Sequence, residues 1–392
     1  MRRIIGTPRE YAWGSHTALR EFCEVPVPAG PLAEIWYGAH PAAPSGVENA
    51  GSLLSMIDGD PDCYLGADVG QRYDWRLPYL MKLIAPVEPL SLQVHPSRAM
   101  AQRRFAEETA AGVALEAPDR LYKDSNHKPE LVYALSEFEA MCGFRAPRRA
   151  AELLGGLGSG TTDSLLAHLR RSPNAAGVEA AFTELFCVPP AADDLARVAE
   201  ACALRLEADS PSPRADRMVV LLHSKHPGDP GVLAPLLLNP VSLRPGEAMF
   251  VPAGGVHAYF SGLAVELMAA SDNVLRAGLT GKHVNAKEML ANVDYVAAPP
   301  VRIAPEVTDD ELTEVFYAPV DDFQLTVVHL VDVPRPLSGW GPRIVLCVRG
   351  HALIRVGEES VMLQAGQAVF LPPGEGAPVV AGEGRLVQAS VP

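Results

Sequence analysis

The most constraining feature of the sequence is a stretch that occurs twice with the same spacing of glycine and proline. Residues 243–259 read LRPGEAMFVPAGGVHAY, and residues 361–377 read VMLQAGQAVFLPPGEGA. The matched positions are Gly246, Pro252 and Gly254 in the first stretch and Gly366, Pro372 and Gly374 in the second. Short apolar runs separated in this way predict two strands joined by a tight turn. Repetition of the unit predicts two β-domains of similar design in one chain.

The two copies differ at the position where a metal ligand could stand. His257 is expected at the start of the second strand of the first copy, and the repeat has Ala377 there. The spacing resembles the second conserved motif of the cupin superfamily, whose small β-barrels bind a metal inside, although Ser261 replaces the final Asn of that motif. This resemblance implies one barrel with a metal and one without metal ligands. A hairpin that carries a buried, hydrogen-bonded histidine is the alternative interpretation.

The middle of the chain has a different pattern. Residues 147–231 carry apolar side chains at three- and four-residue spacings, which predicts helices. We therefore predict a mainly β fold class with a helical insertion, that is, two cupin-like β-barrels of jelly-roll type plus an α-helical domain. The metal-binding catalytic barrel would comprise residues 1–146 and 232–300, and the C-terminal cupin-like domain without metal ligands would comprise residues 301–392.

Composition narrows the class of partner. The chain has 33 Lys and Arg against 47 Asp and Glu, a formal net charge of −14, which argues against nucleic acid or an anionic membrane as the main partner. No signal-peptide core follows MRRII, and no apolar run approaches the length of a membrane span. The six cysteines form no CxxC pair, which favours reduced thiols. We expect a cytoplasmic protein that binds a small molecule and is a monomer, with an oligomer left open.

Four residues form a candidate metal set. Gln93 and His95 lie two apart in a predicted strand and so share one face. Pro129 sets Glu130 at the start of the apolar strand LVYAL, where a buried carboxylate needs a metal or a lysine partner. With His257, these donors suit Zn²⁺, and Fe²⁺, Mn²⁺ or Ni²⁺ also fit on ligand type. A polar barrel interior without metal is the alternative for the Gln–His pair. We expect His127 and Lys128 to face solvent or substrate.

The sequence as a whole resembles the type I mannose-6-phosphate isomerases, also called phosphomannose isomerases. The similar stretches are AEIWYGAHP, LPYLMKLI, PLSLQVHPS, NHKPELVYAL with FEAMCGF, LNPVSLRPGEAMFVPAGGVHAY and VELMAASDNVLRAGLTGKHV. The resemblance implies interconversion of D-mannose 6-phosphate and D-fructose 6-phosphate with one Zn²⁺ per chain. The implied zinc ligands are Gln93, His95, Glu130 and His257. The other implied active-site positions are Arg276, Trp13, Glu34, Lys82, Ser91, Lys128, Tyr259, Glu266, Asp272 and Lys282. Ala12 departs from the family, where a polar residue is frequent.

The chemistry of that reaction explains the residue types. Aldose–ketose isomerisation through a cis-enediol moves a proton between C2 and C1, so it needs a base beside the C–H bond and positive charge beside the oxygen. We predict Glu266 as the base, and the alternative is a buried carboxylate paired with Lys82 or Lys128. Arg276 and Lys128 would complete the catalytic set by donating to the enediolate or the phosphate, and the sequence does not divide these roles.

Two rival functions remain on sequence grounds. A metal-dependent cupin oxygenase would need Fe²⁺ and open coordination positions, and the amide ligand with the basic cluster at Arg276 and Lys282 argues against it. A sugar-phosphate-binding cupin that acts as a sensor would use the same pocket without turnover.

Overall fold

The computed structural model describes residues 1–23, 29–282 and 284–392. His283, which lies near the end of one of the similar stretches, falls outside the described residues. No helix in the described ranges is long and apolar enough to cross a membrane.

The described residues are mainly β, which confirms that part of the predicted fold class. The strands are β1 Arg2–Ile5, β2 Thr7–Arg9, β3 Glu34–Tyr37, β4 Gly46–Val47, β5 Tyr79–Ile84, β6 Leu92–Val94, β7 Glu130–Ala134, β8 Phe138–Phe144, β9 Leu238–Leu243, β10 Ala248–Val251, β11 His257–Ser261, β12 Ala264–Ala269, β13 Leu275–Gly278, β14 Val301–Ile303, β15 Glu306–Val307, β16 Thr313–Phe316, β17 Gln324–Leu330, β18 Arg335–Pro336, β19 Trp340–Val356, β20 Glu359–Gln364, β21 Ala368–Leu371 and β22 Val379–Val391.

The helices are mostly short, and the longer ones follow one another in the middle of the chain. They are α1 Ala18–Phe22, α2 Leu53–Gly59, α3 Pro61–Leu65, α4 Ala67–Arg72, α5 Arg98–Ala110, α6 Pro147–Leu154, α7 Gly160–Arg171, α8 Ala175–Cys187, α9 Ala192–Glu207, α10 Pro213–Lys225, α11 Ala234–Leu237 and α12 Ala286–Leu290. Ser97, Ser159 and Asn174 cap α5, α7 and α8 by accepting hydrogen bonds from amides of the first turn. Helices α6–α10 bury their apolar faces in one core together with Phe144 of β8.

Two antiparallel sheets enclose the region that holds the predicted site. One has seven strands in the order β14-β10-β7-β12-β5-β3-β2, and the other has five in the order β13-β6-β11-β8-β9. A buried apolar cluster that includes Val132 of β7 and Ala140 of β8 fills the space between them. The predicted site residues therefore project from facing sheets: Glu130, Lys82 and Glu266 come from the first, and His257 and Arg276 from the second.

The C-terminal strands form a third antiparallel sheet, and the N-terminus joins it. This ten-stranded sheet runs β15-β16-β17-β22-β19-β21-β1-β4, with β18 paired to β22 and β20 paired to β19 outside this path. Strand β1 pairs with β21 so that Arg2 lies opposite Phe370. A single apolar core joins this sheet to the seven-stranded one, with Phe316 and Phe370 packed among residues such as Tyr133. In the described residues the strand order of each sheet is an open path, so the two closed barrels and the domain boundaries stay predictions.

The repeated stretch has equivalent conformations only in its first half. Gly246 and Gly366 both have positive φ, 94° and 84°, and a strand begins two residues after each. The next left-handed glycine is Gly254 in the first copy but Gly376 in the second. The connection is longer in the second copy, residues 372–378 against 252–256, so β22 begins at Val379, after Ala377. The predicted offset therefore holds to Pro372 and is wrong beyond it.

Candidate active site

Three of the predicted ligands meet in the interior between the two facing sheets. His95, Glu130 and His257 are buried, and one ligand atom from each lies within 4.8 Å of the others. His95 Nε2 is 3.1 Å from Glu130 Oε1, and His257 Nε2 is 3.4 Å from Glu130 Oε2. Gln93 is on β6 directly opposite His257 on β11 and lines the same cavity. The structure thus brings three of the predicted ligands together and sets Gln93 on the strand next to His257.

Both imidazoles are oriented by hydrogen bonds to backbone carbonyls. His95 Nδ1 donates to the carbonyl oxygen of Asn273 at 2.8 Å, and His257 Nδ1 donates to that of Gly255 at 2.9 Å. Each ring therefore turns an unprotonated Nε2 toward Glu130, which is the tautomer that a metal requires. Burial, reinforced by Lys128, lowers the pKa of His95 to about 4, so the ring is neutral near pH 7. Two imidazoles oriented in this way, a carboxylate and an amide oxygen fit Zn²⁺.

The carboxylate of Glu130 has two further partners. Lys128 Nζ forms an ion pair with Oε1 and lies 3.5 Å from His95 Nε2, and the Tyr259 hydroxyl donates to Oε2 at 2.7 Å. Burial alone would raise the pKa of Glu130, but Lys128 and then His95 lower it well below its usual value. Glu130 is therefore ionised in this site. Lys128 lines the cavity, whereas His127 turns away and lies 2.9 Å from Asp322 in the loop between β16 and β17.

A second buried charged cluster lies beside the metal set. Lys82 Nζ donates to Glu266 Oε2 at 2.8 Å and lies 3.9 Å from Glu34 Oε1. Strand β5 lies between β12 and β3, so Lys82 has Glu266 opposite it on one side and Trp36 on the other. Lys82 Nζ lies 4.9 Å from the Trp36 ring centroid. Burial raises the pKa of Glu266 although Lys82 opposes the shift, because one lysine serves two carboxylates. Both the predicted base and its alternative pairing with Lys82 are thus compatible with the geometry.

Two cations at the cavity wall have no carboxylate partner among the described residues. Arg276 is half-buried on β13 opposite Gln93, and Lys282 follows in the next loop. Burial lowers the pKa of Arg276, and burial together with Arg276 lowers that of Lys282. Uncompensated positive charge in a cleft attracts an anionic ligand.

Nearly all of the predicted site residues line one cavity of about 1970 Å³. The predicted residues that line it are Trp13, Glu34, Lys82, Ser91, Gln93, Lys128, Glu130, His257, Tyr259, Glu266, Asp272, Arg276 and Lys282. His95 lies behind Glu130 and is fully buried. Ala12, the departure from the family pattern, also lines the cavity.

Sequence reasoning missed three residues that shape this cavity. Asn273 orients His95 through its carbonyl, and its side-chain amide donates to the carbonyls of Asp124 and Asn126 at 2.8 Å each. His40 Nε2 lies 3.4 Å from Asp272 Oδ1, and Trp36 Nε1 donates to Glu34 at 2.7 Å. Both aromatic residues stand in the AEIWYGAHP stretch, so the signal was present but was assigned to a strand alone.

The fold and this site define a class: a β-sheet protein with a mononuclear metal site next to an acid–lysine pair. Family models match at both ends of the chain, phosphomannose isomerase type I catalytic domain at residues 1–147 and mannose-6-phosphate isomerase cupin domain at residues 313–391. The mannose-6-phosphate isomerase of Escherichia coli is 38% identical over 393 residues, 99% of each chain. That of Salmonella typhimurium is 37% identical over 395 residues, again 99% of each. The chain belongs to the type I mannose-6-phosphate isomerase family.

Solved structures agree with this assignment. A zinc-bound holo mannose 6-phosphate isomerase matches with a TM-score of 0.91 at 36% identity, covering 100% of this chain and 99% of the other. The Salmonella typhimurium enzyme bound to its substrate, fructose 6-phosphate, and to zinc matches with the same TM-score, identity and coverage.

Proposed function

We propose that this chain is a zinc-dependent aldose–ketose isomerase that interconverts D-mannose 6-phosphate and D-fructose 6-phosphate through a cis-enediol. The observation that carries the proposal is one cavity lined by Glu130 and His257 of the His–Glu–His set, by the Glu266–Lys82 pair and by Arg276. This combination supplies a metal site, an acid–base group and a cation, which are the three requirements of the reaction.

Gln93, His95, Glu130 and His257 would hold one Zn²⁺ per chain. The support is the chemistry of the donors and the two carbonyl hydrogen bonds that fix both imidazole tautomers. When bound, Zn²⁺ supplies positive charge that orients and polarises the sugar oxygens.

Glu266 would act as the base. It takes the C2 proton of the open-chain aldose, and the electrons of that C–H bond form the C1–C2 double bond while the C1=O π pair moves to O1. A proton then passes from O2 to O1, the O2 electron pair forms the C2=O bond of the ketose, and the C1–C2 π pair takes the proton back from the same carboxyl at C1. The raised pKa of Glu266 lies closer to the working pH, so its carboxyl can both accept the proton from C2 and release it to C1. Lys82, bonded at 2.8 Å, would hold the carboxylate in place and balance its charge.

The cations would divide between the two anionic parts of the substrate. Lys128, which touches the metal set, is suited to the developing enediolate oxygen, whereas Lys282 and Ser91 are suited to the phosphate. Arg276, opposite Gln93 on β13, would donate to one or the other. The remaining lining residues would contact sugar hydroxyls and the carbon skeleton: Trp13, Glu34, Tyr259 and Asp272.

A coupled assay with mannose 6-phosphate tests the function when it is run before and after chelation. We expect turnover with one zinc per chain, loss of turnover on chelation, and recovery when Zn²⁺ is returned. Tight binding of the sugar phosphate by the zinc-loaded protein without turnover would favour the sensor function instead. The cytoplasmic location and the monomeric state stay predictions.

A further inference from the structure

The loop between β16 and β17 of the C-terminal sheet contacts the segment that precedes β7, the strand that begins with Glu130 and is called the metal strand below. Asp322, between β16 and β17, is only 2% exposed, and the adjacent Phe323 is fully buried in the core shared by the two sheets. The neighbouring Asp321 is exposed. A buried carboxylate is costly unless charged or hydrogen-bonding partners compensate it. Asp322 therefore has a specific set of partners to identify.

Those partners are Arg98 and His127, which lie in residues 1–147, the range matched by the catalytic-domain model and called the catalytic half here. Arg98 Nη2 donates to Asp322 Oδ1 at 2.8 Å, and His127 Nε2 lies 2.9 Å from Oδ2. Arg98 Nη2 also lies 2.7 Å from His127 Nε2, so the guanidinium, imidazole and carboxylate form one cluster. His127 Nε2 donates to Asp322 when it carries the hydrogen and accepts from Arg98 when it does not, so in either tautomer the imidazole is held by this carboxylate or by the guanidinium bound to it.

The segment that this cluster holds is next to the chemistry. His127 precedes Lys128, whose Nζ pairs with Glu130 and lies 3.5 Å from His95 Nε2. On the side away from Asp322, the carbonyl of Asn126 accepts from Asn273 at 2.8 Å. The segment 124–130 is thus held by residues 271–273, which bond Asp124 and Asn126, and by Asp322 from the loop between β16 and β17, which contacts His127.

Two strands of the C-terminal sheet, β16 and β22, also support β7, the strand that follows this segment. Phe316 packs edge-on against Tyr133 of β7 with 5.4 Å between ring centroids, and Arg385 donates to the Tyr133 hydroxyl at 3.0 Å. The metal strand and the loop before it therefore both rest on the C-terminal sheet. The contact of Phe316 with Tyr133 buries apolar surface, and the contact of Asp322 with His127 orients the loop.

We propose that Asp322 is a positioning residue for the isomerase reaction: it holds His127, and through the chain Lys128, so that the lysine ammonium stays beside His95 and Glu130. The inference rests on the proposed function. It assigns the C-terminal sheet, which carries no metal ligand in the repeat, a part in catalysis from a distance. Because misplacement of a catalytic group by about 1 Å costs up to about 100-fold in rate, loss of this contact lowers kcat more than it lowers zinc binding.

The test compares Asp322→Asn with Asp321→Asn, which changes the same functional group one residue away on the surface. We expect Asp322→Asn to lower kcat about tenfold, with zinc content and KM within about twofold of the control. Hydrogen exchange of segment 124–130 is expected to be faster than in the control, at a temperature where both proteins are folded. Arg98→Gln, which removes a partner at the exposed side of the cluster, is expected to act in the same direction if Asp322→Asn does not fold.

Equal kcat in Asp322→Asn and Asp321→Asn would overturn the inference, as would unchanged exchange in segment 124–130. If the wild-type protein does not turn over mannose 6-phosphate, the proposed function fails instead, and the exchange comparison alone then decides whether Asp322 positions the loop.

Discussion

His95 donates its Nδ1 hydrogen to the carbonyl oxygen of Asn273 over 2.8 Å, and both residues are fully buried. The Asn273 side chain ties that carbonyl to the loop before Glu130, because its amide bonds the carbonyls of Asp124 and Asn126 and its Oδ1 accepts from Lys123 N. One asparagine thus links the orientation of an imidazole ligand to the position of the carboxylate ligand.

Asn273→Ala should weaken metal binding as well as stability. The substitution keeps the carbonyl but removes the side-chain bonds that hold it, so we expect about tenfold weaker zinc binding and about 2–3 kcal/mol lower free energy of unfolding. Competition titration with a chelator and chemical denaturation measure the two effects. The matched control is Asn239→Ala, because the Asn239 amide likewise bonds backbone carbonyls, those of Gly143, Phe144 and Ala298, but lies on β9, outside the metal set. Equal zinc affinities in the two variants would contradict this role.

Glu266→Gln should separate catalysis from metal binding. The amide cannot take a proton from carbon, so we expect kcat to fall about 100-fold or more while zinc stays near one per chain. Glu34→Gln is the comparison, because it removes the other acid beside Lys82, 3.9 Å away, and should change KM more than kcat. Steady-state kinetics with metal analysis distinguish the two variants. A kcat close to wild type in Glu266→Gln rules this residue out as the base.

The metal set was predictable because its determinants are local. Gln93 and His95 share a strand face by the two-residue period, and His257 follows a glycine–proline pattern that builds the turn before it. The structure then needs only one register, with Gln93 opposite His257, to bring these side chains together. Local patterns in the sequence were therefore enough to predict Gln93, His95 and His257 as candidate ligands.

Other features depended on contacts between distant parts of the chain. The Asp322–His127 bond joins residues 195 positions apart, and β1 joins β21 from the other end of the sequence. The second turn of the repeat was misaligned for a different reason: both Gly374 and Gly376 could adopt positive φ, and only the fold selects Gly376. No single-sequence pattern carries this information.

The metal-free protein should lose stability as the pH falls from 6.5 to 4.5. Burial lowers the pKa of His95 from 6.5 to about 4, so in this window the unfolded chain binds a proton that the folded one does not. Stability therefore rises with pH, and the full contribution, about 3 kcal/mol, is present above pH 6.5. His40, whose pKa burial also lowers, adds in the same direction. Urea unfolding of the chelated protein across this range measures the slope, and His95→Gln should reduce it. An unchanged slope in that variant would show that His95 is not the source.

Asp229 should control the loop that carries the cations. Its Oδ2 accepts from the amide of Leu279 at 2.7 Å, and Leu279 is a buried non-glycine residue with φ of 57°, a conformation that needs external support. The segment from Arg276 to Lys282 contains this residue. We expect Asp229→Ala to raise KM for the sugar phosphate about tenfold with a smaller change in kcat, because the released loop no longer holds its positive charge at the cavity.

Two further variants identify the cause of that effect. Asp229→Asn keeps one acceptor oxygen, so it can serve the amide of Leu279 or that of Gly231, which bonds Oδ1 at 2.7 Å, but not both, and its KM should be intermediate. In the Asp229→Ala background, Leu279→Gly removes the cost of the left-handed conformation, about 1 kcal/mol, and should recover part of the lost affinity. If Asp229→Asn had the same KM as Asp229→Ala, and Leu279→Gly did not change the KM of Asp229→Ala, the bond from Asp229 to Leu279 would not be what positions this loop.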